Sequence, residues 1–117
     1  MRLIEPEING IIWACENIFK KNNTLLEHIS LYLFGSRTDD TLKGGDIDLL
    51  LRVPKEILEN IKKLKLDIAR EIKNNIGEQK IDILIIDQDP PKEAFHRLAI
   101  EGAVILKEWG KNNSDLA

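Results

Sequence analysis

The chain has 117 residues, of which 43% are hydrophobic and 32% are charged, a balance typical of one globular domain spanning residues 1–117. No apolar run in the sequence is long enough to cross a bilayer, so an integral membrane protein is not expected. A formal net charge of −3 argues against strong nonspecific binding to nucleic acid, which requires clustered positive charge.

Hydrophobic periodicity and turn-forming residues predict seven elements along the chain. In order, they are a helix at 6–20, a strand at 29–34, a strand at 46–53, a helix at 55–76 that ends at Gly77, a strand at 80–87, a short helix that begins at Pro90 and Pro91 and ends near Glu101, and a strand at 104–106. The polar residues from about Gly110 onward are expected to be frayed.

The connections between these elements predict how the strands pair. No helix separates the first two strands, so they can be antiparallel neighbours, whereas the long helix after the second strand favours a parallel crossover to the third. The third strand is apolar enough to be central in the sheet. The predicted fold class is α+β, with a two-layer arrangement of a mixed β-sheet and flanking helices.

Two aspartates lie two residues apart at the start of the second predicted strand. Residues at this spacing point to the same face of a strand, about 6.5–7 Å apart, so Asp46 and Asp48 direct their carboxylates to one place. Ile47, Leu49 and Leu51 then face the core. Carboxylates this close repel each other, and a hard divalent cation such as Mg²⁺ between them relieves the repulsion. The alternative is an acidic pair that simply faces solvent.

A third aspartate, Asp82, lies between Ile81 and Ile83 in the apolar third strand. An unpaired charge buried in such a strand costs several kcal/mol, so we expect Asp82 to join the acidic pair if the second and third strands are neighbours. Three carboxylates can hold two metal ions roughly 3.5–4 Å apart, an arrangement that stabilises both reacting oxygens in phosphoryl transfer. The alternative for Asp82 is an ion pair with a lysine such as Lys80.

The tripeptide Gly35-Ser36-Arg37 directly follows the first predicted strand. Gly35 has no side chain, which lets the backbone approach a ligand closely. Backbone N–H groups and the Ser36 hydroxyl are suitable donors for phosphate oxygens. Arg37 could add a bidentate contact, or form only a surface ion pair. The tripeptide therefore predicts a phosphate-binding turn, although such tripeptides occur in many loops.

Taken together, these residues resemble the signature of the nucleotidyltransferase superfamily typified by polymerase β. That signature is a Gly-Ser at a strand end, an Asp-x-Asp on the next strand and a third acid on a later strand. The short length and the ending at residues 95–106 are similar to the minimal nucleotidyltransferases, small prokaryotic proteins commonly paired with a helical HEPN partner in toxin–antitoxin modules. The resemblance covers roughly residues 5–108.

The resemblance implies a role for each matching residue. Asp46 and Asp48 would bind both of two Mg²⁺ ions, for which Mn²⁺ could substitute. Asp82 would bind the catalytic ion and help to deprotonate the attacking hydroxyl. Gly35 and Ser36 would hold the β- and γ-phosphates of a nucleoside triphosphate. Chemistry would be an in-line attack on the α-phosphorus, with release of pyrophosphate.

The loop that follows the Gly-Ser pair departs from the family pattern. Arg37, a further nucleotide-binding residue by resemblance, is followed by Asp39 and Asp40, where minimal members often have basic or small residues. Two negative charges that face a triphosphate would weaken its binding, so we expect the loop to turn them outward.

The implied activity is transfer of AMP from ATP to a hydroxyl. In minimal members the acceptor can be a tyrosine of the HEPN toxin, which then loses its nuclease activity. We therefore expect an antitoxin that forms an oligomer with this partner or with itself in the cytoplasm, a reducing compartment that suits a chain with one cysteine. Two alternatives stay open: an antitoxin that acts by binding alone, and a transferase that modifies a small molecule or an RNA end.

A few other side chains have simpler interpretations. Cys15 lies on the apolar face of the first helix and is predicted to be buried. Trp13 and Trp109 suit either packing or contact with a partner. If a partner binds, the short helix near 92–101 and Trp109 are the predicted contact sites.

Overall fold

A computed structural model describes residues 3–35 and 47–110 of the chain. Its elements, in order, are helix α1 (Glu5–Lys21), strands β1 (Ile29–Phe34) and β2 (Ile47–Val53), a 3₁₀ helix (Lys55–Ile57), helices α2 (Leu58–Lys63) and α3 (Lys65–Ile76), strand β3 (Ile81–Asp87), helix α4 (Ala94–Glu101) and strand β4 (Val104–Trp109). The frayed tail was predicted from about Gly110, and residues 111–117 of it lie outside the described residues.

The four strands form one mixed sheet in the order β3-β2-β1-β4. β1 pairs antiparallel with β2, and β2 pairs parallel with β3, which confirms both predicted pairings and the α+β class. β1 also pairs antiparallel with β4, a pairing that the sequence did not predict. The prediction that β3 is central is wrong, because β3 lies at an edge of this sheet. Its apolar sequence is explained by contacts on both faces: Ile83 and Ile85 pack in the core, and Leu84 lines a cleft together with residues of α4.

The core lies on one face of the sheet, where α1, α2 and α3 pack. Alternate residues of each strand point to this face, as the two-residue period of a strand requires. Ile47, Leu49 and Leu51 are completely buried there, which confirms their predicted orientation. The helices contribute a matching set of buried side chains: Ile11, Ala14, Cys15, Ile18, Phe19, Ile61, Ile68 and Ile72.

The long helix predicted at 55–76 is divided at Leu64. The Leu64 N–H donates to the Ile61 carbonyl at 2.9 Å, three residues back, which interrupts the regular α-helical ladder. α2 lies against β3, whereas α3 packs mainly against α1. The break therefore lets each half bury its part of the apolar stripe against a different neighbour. Gly77 ends α3 with a positive φ of 95°, as predicted.

The burial of Cys15 in α1 and of Trp109 in β4 can be compared with the predictions for these side chains. Cys15 is completely buried, and loss of water around the thiolate raises its pKa to about 12. Trp109 is only 5% exposed, which favours the packing alternative over contact with a partner. Its indole N–H donates to Glu16 Oε2 at 2.7 Å, and its ring packs edge-to-face on Phe19 with centroids 5.9 Å apart. Trp109 therefore packs β4 against α1. Trp13, in contrast, is 54% exposed.

None of the helices within residues 3–35 and 47–110 combines the length and the apolar character that crossing a membrane requires.

Candidate active site

The pairing of β2 with β3 places two of the predicted site aspartates side by side. Phe34 of β1 lies opposite Asp48 of β2, and Asp48 lies beside Asp82 of β3. Paired residues on neighbouring strands point to the same face of a sheet, with the strands about 4.8 Å apart. Because the residues flanking Asp48 point into the core, Asp48 and Asp82 project from the opposite face.

Asp48 and Asp82 line one cleft of about 590 Å³. Gly35 lines the same cleft at the end of β1. The other walls are apolar and come from the sheet and from α4, with contributions from Phe34, Leu84, Phe95, Leu98 and Ala99. The cleft therefore combines a carboxylate-bearing end with an apolar wall.

Gly35 brings the end of β1 against the Asp48 side chain. Its φ of +79° lies in the left-handed region, which residues with a side chain rarely adopt. A Cβ at this position would lie 3.1 Å from Cγ and 3.3 Å from Cβ of Asp48, and closer still to Oδ2. Both the backbone conformation and the available space therefore require glycine beside this carboxylate.

We expect Gly35→Ala to destabilise the protein more than Gly77→Ala. Both glycines have positive φ, 79° and 95°, so alanine is strained at either position by about 1–3 kcal/mol. A Cβ at Gly77 meets no atom within 4 Å, whereas at Gly35 it meets the Asp48 carboxylate. Urea denaturation of the two variants measures the difference in the free energy of unfolding. Equal losses would show that Asp48 moves aside without cost.

The setting of Asp82 differs from the sequence-based expectation. Its apolar neighbours in sequence predicted a buried charge, but the Asp82 side chain is exposed. The alternation of the strand places Ile81 and Ile83 on the other face, so the flanking residues do not bury the carboxylate. Its position beside Asp48, and not a cost of burial, is therefore the reason to include Asp82 in the site.

Part of the predicted site falls outside the described residues. Ser36, Arg37 and Asp46 belong to this part, as do the loop residues Asp39 and Asp40. Within residues 3–35 and 47–110 no group of three His, Cys, Asp or Glu side chains is arranged to hold a metal ion. The described site thus contains two of the three predicted carboxylates.

These two carboxylates suit a hard divalent cation. They are oxygen donors on adjacent strands, and they line a cleft that has room for further ligands. Mg²⁺ usually takes one or two protein carboxylates and fills its other positions with water and substrate phosphates. Asp48 and Asp82 therefore fit a magnesium site that a nucleotide would complete.

The sequence-based predictions missed the apolar wall of the cleft. Phe95 and Leu98 lie three residues apart in α4, a spacing that puts both on one face of a helix. That spacing was visible in the sequence, but the neighbour of this helix face was not, because it depends on how α4 lies on the sheet.

Comparison with known proteins identifies the family. The family model described as "Polymerase beta, Nucleotidyltransferase" matches residues 14–109, a range that contains all six predicted site residues. A comparison with curated proteins found no match. One solved structure with a match is that of a "putative nucleotidyltransferase from Sulfolobus solfataricus", which is 21% identical, with coverage of 90% of this chain and 89% of that chain and a TM-score of 0.45. Because the family model spans most of the sequence, the chain belongs to the polymerase β nucleotidyltransferase family.

Proposed function

We propose that this protein is a metal-dependent transferase that moves AMP from ATP to a tyrosine hydroxyl of a HEPN-type toxin, and that it acts as the antitoxin of that toxin in the cytoplasm. The main support is the register that sets Asp48 beside Asp82 in one cleft, with Gly35 against Asp48. Family membership supports nucleotidyl transfer as the class of reaction. The resemblance to minimal nucleotidyltransferases motivates the nucleotide, the acceptor and the partner.

The residues of the cleft have distinct roles in this proposal. Asp48 and Asp82, together with Asp46, would hold Mg²⁺. When bound, Mg²⁺ would supply positive charge that stabilises the α-phosphoryl group under attack and the leaving pyrophosphate. Gly35 lets the backbone at the end of β1 approach the phosphates closely, and Ser36 adds a hydroxyl donor.

The order of residues across the sheet suggests a direction for the reaction. In-line displacement places the entering and leaving oxygens on opposite sides of the α-phosphorus. Gly35 continues β1 on one side of Asp48, and Asp82 lies on β3 on the other side. With the leaving phosphates near Gly35, the acceptor hydroxyl enters beside Asp82. The Asp82 side chain is exposed, so it can meet a hydroxyl from another chain and accept its proton.

Intact mass spectrometry tests this proposal. The protein is co-expressed with the product of the neighbouring gene, and the mass of that product is measured. We expect increments of one or more AMP groups with the wild-type protein and none with Asp48→Asn. The matched control is Asp67→Asn, which changes an exposed aspartate that pairs with Arg70 on α3, outside the cleft. If the partner is bound and inactivated but carries no AMP, the antitoxin acts by occlusion and not by catalysis. A partner that does not bind would favour a small-molecule or RNA acceptor.

A further inference from the structure

We infer that the apolar wall of the cleft, formed by Phe34, Phe95 and Leu98, binds the base of the nucleotide. This inference rests on the proposed function, since it assigns another part of the same cleft. It adds positioning residues that neither the acidic signature nor the Gly-Ser turn contains.

Two large apolar side chains of the wall are more exposed than such side chains usually are in a folded protein. Phe95 and Leu98 have exposed fractions of 60% and 67%, although both are large apolar side chains. Ala99, the next residue in α4, is buried, so the helix already has an anchor to the rest of the fold. The two exposed side chains line the cleft that also contains Asp48 and Asp82. An exposed apolar pair that adjoins a polar site is typical of a ligand-binding cleft.

The aromatic rings of the wall are arranged to stack with a flat ligand. Phe95 contacts Phe34 edge-to-face, with ring centroids 6.5 Å apart and planes at 75°. This contact orients Phe95 while most of its side chain remains exposed. Nucleobases stack on such rings whatever their identity, because every base has a π face.

The proposed direction of the reaction leaves the nucleoside free to extend toward this wall. The line of attack runs across the strands, from the Asp82 side to the Gly35 side. The nucleoside oxygen remains on the α-phosphorus at about a right angle to that line, so the nucleoside can extend along the strands. The next residue on the same face of β3 is Leu84, about 6.5–7 Å from Asp82, and it lines the cleft with α4. A ribose can span this distance, so a nucleoside that extends toward Leu84 brings its base to the wall that contains Phe95.

Calorimetric titration separates binding of the base from binding of the phosphates. The probes are the α,β-methylene analogues of the four nucleoside triphosphates, which cannot transfer their nucleotide, and tripolyphosphate, which has no base. Mg²⁺ is present throughout. We expect Phe95→Ala to weaken the tightest-binding analogue by about 5- to 150-fold, the range for loss of one stacked base, without changing the affinity for tripolyphosphate. Phe95→Trp keeps a ring and should retain most of the affinity.

Trp13→Ala is the matched control, because it removes a 54% exposed aromatic side chain from α1, outside the lining of the cleft. Its affinity for the analogue should equal that of the wild type. Unchanged analogue binding by Phe95→Ala would overturn the base site and leave the proposed function standing. Equal losses for the analogue and for tripolyphosphate would also overturn the base site, because the phosphate site would then be disturbed. Failure of the wild type to bind any analogue would contradict both proposals.

Discussion

Asp48→Asn and Asp82→Asn should each lower the rate of nucleotidyl transfer by at least about 100-fold, since replacing a residue that only supports a metal ligand already costs 10- to 100-fold. Both side chains line the cleft from neighbouring strands, so each variant removes one of the paired charges. Asp46→Asn is expected to behave in the same way. The readout is the AMP increment on the partner, followed over time.

These variants should keep their fold, which separates loss of chemistry from loss of structure. Asparagine has nearly the shape of aspartate, and the Asp82 side chain is exposed. Without metal, each variant loses a repulsion between like charges, so its melting temperature should equal or exceed that of the wild type. A variant that unfolds would assign a structural role to its carboxylate. Full transfer activity in either variant would remove that aspartate from the catalytic site.

Trp109→Ala should lower the free energy of unfolding by about 3–5 kcal/mol, the range for a large aromatic residue replaced in a core. The change removes the packing on Phe19 and leaves the Glu16 carboxylate without its indole donor. Trp109→Phe separates these effects, because it loses the hydrogen bond and keeps most of the packing.

Urea denaturation measures this loss, and Trp13→Ala is the control. The Trp13 side chain is 54% exposed against 5% for Trp109, so its replacement should change stability by about 0.5 kcal/mol or less. The contradicting result has two parts: both tryptophan variants lose little free energy of unfolding, and Trp109→Ala alone binds the partner more weakly. Trp109 would then contact the partner, against what its buried position indicates.

The pairing around the candidate site could be predicted because local features of the sequence determine it. No helix is predicted between β1 and β2, which permits antiparallel pairing, and the helical connection between β2 and β3 favours parallel pairing. Asp48 and Asp82 both lie near the start of their strands, so parallel pairing brings them into register. The hydrophobic alternation around Asp48 then determines which face carries the carboxylates.

Features that depend on packing between distant segments could not be predicted. An apolar strand such as β3 has the same sequence pattern whether it lies in the centre of a sheet or at an edge, with the core on one face and an apolar cleft on the other. The break at Leu64 depends on which neighbours α2 and α3 contact. The last strand was predicted to stop at Leu106, but it continues to Trp109, whose contacts are with α1. The exposure of Phe95 likewise depends on how α4 lies against the sheet.

Asp48 and Asp82 are proposed to belong to a metal-dependent nucleotide site. Calorimetric titration of the wild-type protein with each of the four nucleoside triphosphates, in Mg²⁺ and in EDTA, tests this most directly. We predict that at least one triphosphate binds with Mg²⁺, that EDTA or Asp48→Asn abolishes binding, and that the bound form melts at a higher temperature, because the ligand binds only the folded state. Failure of all four to bind with either Mg²⁺ or Mn²⁺, or equal affinity in Asp48→Asn, would contradict the claim.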